Sequence, residues 1–247
     1  MAVTGKTISL ALDFHENSKK IIVSERYETR QQYKFYQGTE SIPLAGDIDS
    51  DSKDSFLRTI MTRKSTRSFS DKNIDYVVLS KLLKLSLGLR SDIENPDTRT
   101  YASAGGCYPI EVYLIVLRSD DLACGAYHYN VKDDTLELLR RKCYLDEINH
   151  FYSNQKDIIT TDFPCLILFS MIAKRTMEKY NERGYRFILI DAGHMGQNLY
   201  LCATYLRLGV VALGAGADCD SKLDGLLALN KHTENIFYGF ALGHPLT

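Results

Sequence analysis

None of the six cysteines stands in a C-x-x-C pair and no histidine lies at metal-ligand spacing, so neither a disulfide frame nor a zinc site is signalled. An excess of one charge is missing too. With 30 Lys and Arg interspersed among 31 Asp and Glu, the chain lacks the broad positive field of a phosphate-backbone binder, which excludes nucleic acid as a partner. The longest apolar run, 163–173, is too short to cross a bilayer, and the opening MAVTGKTISLALDF has no basic segment leading into a signal-type apolar core. A cytoplasmic protein is expected. Missing as well are a Pro/Gly/Ser linker and an internal repeat, so a single main domain is expected. The G-x-G-x-x-G fingerprint and regular strand-helix alternation of a dinucleotide fold are absent as well.

What is present is material for a real core. Hydrophobic residues make up 45% and charged residues 25% of 247, enough for a chain of this size to bury roughly three quarters of its unfolded surface. Cys165 and Cys202 lie among apolar residues and read as small buried side chains. Strands are expected at 110–117 and 165–171, and helices at 55–62 and, capped by Asp75, through Leu87. The longest helix is expected at about 184–208, because Ile188, Ala192, Met195, Leu199, Cys202 and Leu206 recur at steps of four and three. Its Ala192, Gly193 and Gly196 leave room for a close neighbour. Ser221, Lys222, Leu223 and Asp224 spell a capping box opening a short helix with Leu223, Leu226 and Leu227 inward. The pattern reads as α+β.

Chemistry concentrates in three tracts. RTYASAGGCYPIEVY, 99–113, packs Ser103, Ala104, Gly105 and Gly106 into a loop of little bulk, whose backbone can approach a flat ligand closely; an ordinary turn is spelled the same way. Upstream, Arg63, Ser65 and Arg67 alternate around Lys64 and Thr66, so an extended segment offers two cations and a hydroxyl on one side, as a phosphate requires. A solvated basic turn is the plain alternative. Downstream, Lys179 and Tyr180 precede Asn181, Glu182, Arg183, Gly184, Tyr185 and Arg186, then Asp191, Ala192, Gly193 and His194, and finally Gly214, Ala215 and Gly216. His128 and His194 read as structural histidines. Asp191 and Arg186, five apart, are read as a structural pair without the spacing of a direct helical salt bridge.

In this order and spacing the tracts resemble the SagB-type dehydrogenases of the FMN-dependent nitroreductase superfamily, which include the McbC-like azoline oxidases. The resemblance extends through Phe14 to Lys19, Tyr33 to Tyr36, Ile42 to Leu44, Ala126 to Tyr129, Leu136 to Leu139 and Leu242 to Pro245. It implies a nitroreductase-like fold with a central mixed, mainly antiparallel sheet flanked by helices. A homodimer with one FMN in each of two interfacial clefts is implied too, the long helix supplying apolar interface. Residues 1–50 then form an N-terminal arm or extension, tyrosine-rich at Tyr27, Tyr33 and Tyr36, and 51–247 the FMN-binding domain.

Carried over residue by residue, the resemblance assigns cofactor contact to Arg63, Lys64, Ser65, Arg67, Ser103, Ala104, Gly105, Gly106, Gly214, Ala215 and Gly216, with the 103–106 loop lining the flavin from the other subunit. Ala102 stands where a proline is usual and Cys107 where a bulkier apolar residue is usual, which bears on the placement of the ring. Lys179 and Tyr180 match a pair associated with catalysis. Aromatising a thiazoline or oxazoline removes a ring proton and a hydride, so a base must face the hydride acceptor; a lysine can take the proton and a tyrosine orient or relay it. The implied reaction is oxidation of azoline rings in a ribosomally made peptide, beside a cyclodehydratase partner. Electron flow from NAD(P)H to a nitroaromatic or quinone is the first alternative, and a non-catalytic flavin- or peptide-binding scaffold the second.

Overall fold

Ile110–Val116 forms β1, an interior strand of the sheet in the computed structural model, which describes residues 5–18, 34, 54–90, 97–152, 162–214 and 219–246. Its side chains alternate between two apolar clusters: Ile110, Val112, Leu114 and Val116 enter one, Tyr113 and Ile115 the other. A strand apolar on both sides has to be covered twice. β2 (Gly125–Asn130), β3 (Thr135–Arg141), β4 (Cys165–Met171), β5 (Gly209–Leu213) and β6 (Asn235–Gly243) complete a six-stranded sheet in the order β3-β2-β1-β4-β6-β5. All its pairings are antiparallel. A parallel contact occurs only in the isolated Ile74–Ser119 bridge among the described residues; the sheet expected to be mixed and mainly antiparallel is antiparallel in all its pairings, and the class is α+β as expected.

Helices α1 (Gly5–Ser18), α2 (Ser55–Thr62), α3 (Tyr76–Leu87), α4 (Leu145–Phe151), α5 (Lys174–Tyr180), α6 (Arg183–Tyr205) and α7 (Cys219–Leu227) surround it. Leu79, Leu82 and Leu83 of α3 and Ile188, Met195 and Leu199 of α6 cover one face; Ile148 of α4 and Leu223 and Leu227 of α7 cover the other. The starts of α2 and α3 are set by side chains. Asp54 accepts from the amides of Phe56 and Leu57, and Asp75 from that of Val78 at 2.8 Å, each satisfying donors that a helix start leaves open. The stop of α6 is equally local: Arg207 turns left-handed at φ 59°, and the Leu208 and Arg207 amides return to Ala203 and Thr204 as a Schellman motif. That ends the helix three residues before the expected 208.

The capping box at Ser221 is not used. Ser221 already lies within α7, and the buried Asp224 instead accepts the Ile236 amide at 2.6 Å at the start of β6. An amide buried at a strand end would be costly without an acceptor, and Asp224 supplies one. Leu223 and Leu227 point inward as expected, while Leu226 is half-buried. The tyrosines of the expected arm, Tyr27, Tyr33 and Tyr36, and the 42–44 tract lie outside the described residues. Within the arm α1 buries Ala11 and His15 and sets Phe14 edge-on to Tyr185 of α6. No helix among the described residues is long and apolar enough to cross a membrane.

Candidate active site

The loop before β1 is held by one carboxylate. Ser103 donates its hydroxyl to Asp191 Oδ2 at 2.5 Å, the Ala104 amide donates to Oδ1 at 3.2 Å, and the Tyr108 amide closes the loop on Ser103 Oγ at 3.0 Å. Asp191 is therefore the partner of the loop and not of Arg186, which is exposed; helix geometry sends position 191 inward and 186 outward. Burial pushes the Asp191 carboxyl above the usual carboxylate range, and the bonds from Ser103 and Ala104 pull it back. One turn on, His194 Nδ1 sits 3.1 Å from the Ala102 carbonyl, so α6 carries the loop at two points. Ser103 is thus engaged structurally, and the loop offers a ligand mainly its backbone.

Between these anchors the chain makes a single turn at Ala104–Gly106, with Gly105 at φ 61° and Gly106 at φ 66°. The second of these residues faces open space: a methyl group added there would meet nothing within 4 Å. The first is hemmed in by the residues expected to be catalytic. A Cβ on Gly105 would lie 2.4 Å from the Tyr180 hydroxyl and 2.5 Å from Lys179 Nζ, and that ammonium donates to the Gly105 carbonyl at 3.2 Å. Both side chains come from the last turn of α5, which Asn181, at φ 51°, separates from α6. Tyr180 is steadied edge-on by Phe187, ring centroids 5.0 Å apart. Residues far apart in sequence, 103–106 and 179–180, are brought to one place.

The basic tract forms a second group. Thr66 is buried against Gly209, whose missing Cβ would lie 2.5 Å from Thr66 Cγ2, and its amide bonds to the Val210 carbonyl. Arg63 and Ser65 turn the other way, toward Tyr200 of α6: the guanidinium stands 5.3 Å from the ring centroid and Ser65 Oγ 3.3 Å from the phenol oxygen. That same oxygen accepts the Ala212 amide at 2.8 Å, which fixes the end of β5 two residues before the exposed Gly214. Arg63, Lys64 and Arg67 have no ion pair among the described residues, so three cations stand ready for an anion. Ala215 and Gly216 lie outside the described residues.

The two groups meet different heights of α6. Asp191 and Tyr200 are separated by a rise of about 13 Å along the helix, so one protomer brings together the loop and the Lys-Tyr pair but not the loop and the basic tract. Asp191, Tyr200, Tyr108 and Arg175 were not singled out for a site role from sequence. Tyr108 holds φ 43°, uncommon for a residue with a side chain. No sequence signal marks these four, because each acts through a partner at least 67 positions away or through an unusual backbone angle. No group of His, Cys, Asp and Glu able to hold a metal occurs among the described residues.

A six-stranded antiparallel sheet between helices, with a glycine loop and a basic tract beside its longest helix, defines the α+β class of the chain. The nitroreductase family model matches residues 60–244, and the chain belongs to that family. It is 27% identical over 161 residues to a nitroreductase-type protein of Methanocaldococcus jannaschii, covering 64% of this chain and 78% of the relative. It is 28% identical over 150 residues to the Microcin B17-processing protein McbC of Escherichia coli, covering 57% of this chain and 53% of McbC, or about half its length. In fold it is similar to a chain of the E. coli microcin synthetase McbBCD complex, solved with truncated pro-MccB17 bound: TM-score 0.78, 23% identity, 98% of this chain and 94% of that one.

Proposed function

We propose that the chain is an FMN-dependent oxidoreductase that converts thiazoline or oxazoline rings of a ribosomally made peptide to thiazoles or oxazoles. The observation that carries this is the convergence of Lys179 Nζ and the Tyr180 hydroxyl on Gly105. A lysine in its unprotonated form can take the ring proton, and a phenol beside it can orient the heterocycle or relay that proton. The similarity to McbC supplies the substrate class. FMN, when bound, supplies the acceptor for the two electrons of the departing hydride.

The residues present fit such a cofactor. Arg63, Ser65 and Arg67, with Lys64 adding charge, would hold its phosphate, and Gly214, Ala215 and Gly216 would approach it with backbone. Ser103, Ala104, Gly105 and Gly106 would line its ring from the second protomer, which is how two groups about 13 Å apart along α6 serve one site. A homodimer is also supported by apolar side chains left exposed on α2 and α6: Phe56, Ile60, Met61, Leu189 and Ile190. Enclosing the site between protomers would exclude water from Lys179, which is exposed in a single chain. We place the protein in the cytoplasm beside a cyclodehydratase partner, with residues 1–50 as an arm preceding the FMN-binding domain at 51–247.

The similarity to the Methanocaldococcus protein favours a second reading, reduction of a nitroaromatic or quinone by NAD(P)H. Incubating the flavin-loaded protein with an azoline peptide in air separates the two. Wild type converts the ring without a nicotinamide donor, and Lys179→Ala keeps its flavin but loses about 10²- to 10⁴-fold in turnover, the usual worth of a positioned base. Turnover that requires NAD(P)H, or a Lys179→Ala variant as active as wild type, overturns the proposal. Bound flavin with no turnover of either kind when partners are supplied would leave the scaffold reading.

A further inference from the structure

Lys179 is one of two cations on the same face of α5. Arg175 precedes it by four residues, one helical turn, and its Nη1 donates to the Tyr108 carbonyl at 3.1 Å, as Lys179 donates to that of Gly105 at 3.2 Å. The two ends of one short turn are gripped from one helix. The turn needs holding, because three of its four residues, Gly105, Gly106 and Tyr108, have positive φ and the tyrosine pays for it with a side chain. Other contacts converge on Tyr108: Arg99 lies 4.8 Å from its ring centroid and donates its amide to the phenol oxygen at 3.2 Å, and Tyr101 meets the ring edge-on.

Arg175 is held in turn from the sheet. Its Nη1 also meets Glu111 Oε1, and the other oxygen of Glu111 lies 3.2 Å from His128 Nε2. His128 Nδ1 is 2.8 Å from Glu137 Oε2, whose Oε1 accepts from Asn130. An imidazole with a carboxylate at each nitrogen donates to both only as the imidazolium. Glu111 thus stands between two cations, and β1, β2 and β3 pass a fixed position to α5. Arg175, Glu111, His128 and Asn130, with Cys107, border a groove of about 470 Å³ beside the turn.

We propose that Arg175 is a positioning residue: by bridging the Tyr108 carbonyl and the Glu111 carboxylate it holds the 105–108 turn where Gly105 meets Lys179 and Tyr180. The proposal rests on the reading of Lys179 and Tyr180 as catalytic, while its geometry does not. Both acceptors are met by the one Nη1, and lysine at 175 keeps the charge but lacks the planar guanidinium that fixes that nitrogen between them.

The test reads the turn through Cys107. Alkylation of the flavin-loaded full chain by N-ethylmaleimide at fixed pH is followed residue by residue by peptide mass spectrometry, in wild type, Arg175→Ala, Arg175→Lys and Glu111→Gln. The exposed Cys143 is the internal reference. We expect Cys107 to react about tenfold faster in Arg175→Ala, the factor set by losing a charge-assisted hydrogen bond, with smaller gains in the other two. Cys143 stays constant, and kcat falls while KM holds. Deleting a cation beside a thiol would by itself disfavour the thiolate and slow the reaction, so acceleration reports an opened turn. Should Arg175→Ala fail to fold, Glu111→Gln carries the test. Cys107 rates within twofold of wild type in the variants that fold overturn the positioning role even if azolines are oxidised; faster Cys107 without azoline turnover keeps it and removes the proposed substrate instead.

Discussion

Replacing Gly105 by alanine should leave a folded protein that fails in turnover. The backbone there stands at φ 61°, and a side chain in that region costs about 1–2 kcal/mol, a loss most domains survive. The larger effect is local. The new methyl carbon would lie 2.4 Å from the Tyr180 hydroxyl and 2.5 Å from Lys179 Nζ, about 1 Å inside ordinary contact distance. Both atoms end flexible side chains, so they retreat. A displacement of that size at reacting groups can cost about 10²-fold in rate. Gly106→Ala is the matched control, since φ is 66° and its methyl group meets nothing of the protein within 4 Å. It shares the backbone cost without the collision; any effect on a ligand occupying that space appears as lost flavin. The assay is azoline turnover per bound flavin, with thermal unfolding of the same samples. Two variants equally impaired per flavin, or a fully active Gly105→Ala, would refute the assignment of Lys179 and Tyr180 to the reaction.

Removing the hydroxyl in Tyr200→Phe strands the Ala212 amide and frees Ser65, so FMN should bind about tenfold more weakly, on the order of one lost hydrogen bond, as read by flavin titration of the apoprotein. Asp191→Ala leaves the Ser103 hydroxyl and the Ala104 amide without their acceptor at about 1–3 kcal/mol each; a lowered Tm is expected, with Asp191→Asn milder because one acceptor remains. His128 supplies a pH signature. Its bond to Glu111, and to a lesser extent that to Glu137, raises it above 6.5, so its contribution is full below that pH and is lost as pH rises through the folded-state value. Burial alone would lift Glu111, but His128 and Arg175 hold it below 4.5, so its share is full above that pH and is lost as pH falls. The Tm gap between wild type and His128→Gln should therefore be widest between pH 4.5 and 6.5, about 2–4 °C for each kcal/mol in a chain of this size, and should narrow as pH rises through the folded-state value of His128.

Local grammar made much of the fold legible. The Asp75 cap, the 165–171 strand and the stripe from Ile188 to Leu199 each follow from spacing alone, and each formed as expected. The end of α6 was misplaced because apolar periodicity continues through Leu206 while the backbone turns at Arg207. The capping box failed because Ser221 lies inside α7, and its Asp224 serves a strand amide twelve residues away instead. In the site, the glycine loop and the Lys-Tyr pair were visible as separate tracts, but their meeting at Gly105 depends on how α5 packs over the β1 entry. Asp191 was noticed with the wrong partner: it was read as a structural pair with Arg186, and nothing in sequence points across 88 positions to Ser103.

In the proposed reaction, electrons leave an azoline peptide for a flavin held by this chain. Mixing the FMN-loaded protein with one equivalent of azoline peptide, without oxygen and without a nicotinamide, tests it most directly through the visible spectrum and the peptide mass. Bleaching of the flavin, a peptide lighter by two hydrogen atoms per converted ring, and recovery of the colour in air are expected. A flavin that stays oxidised with the peptide and bleaches at once with NADPH would contradict the proposed reaction.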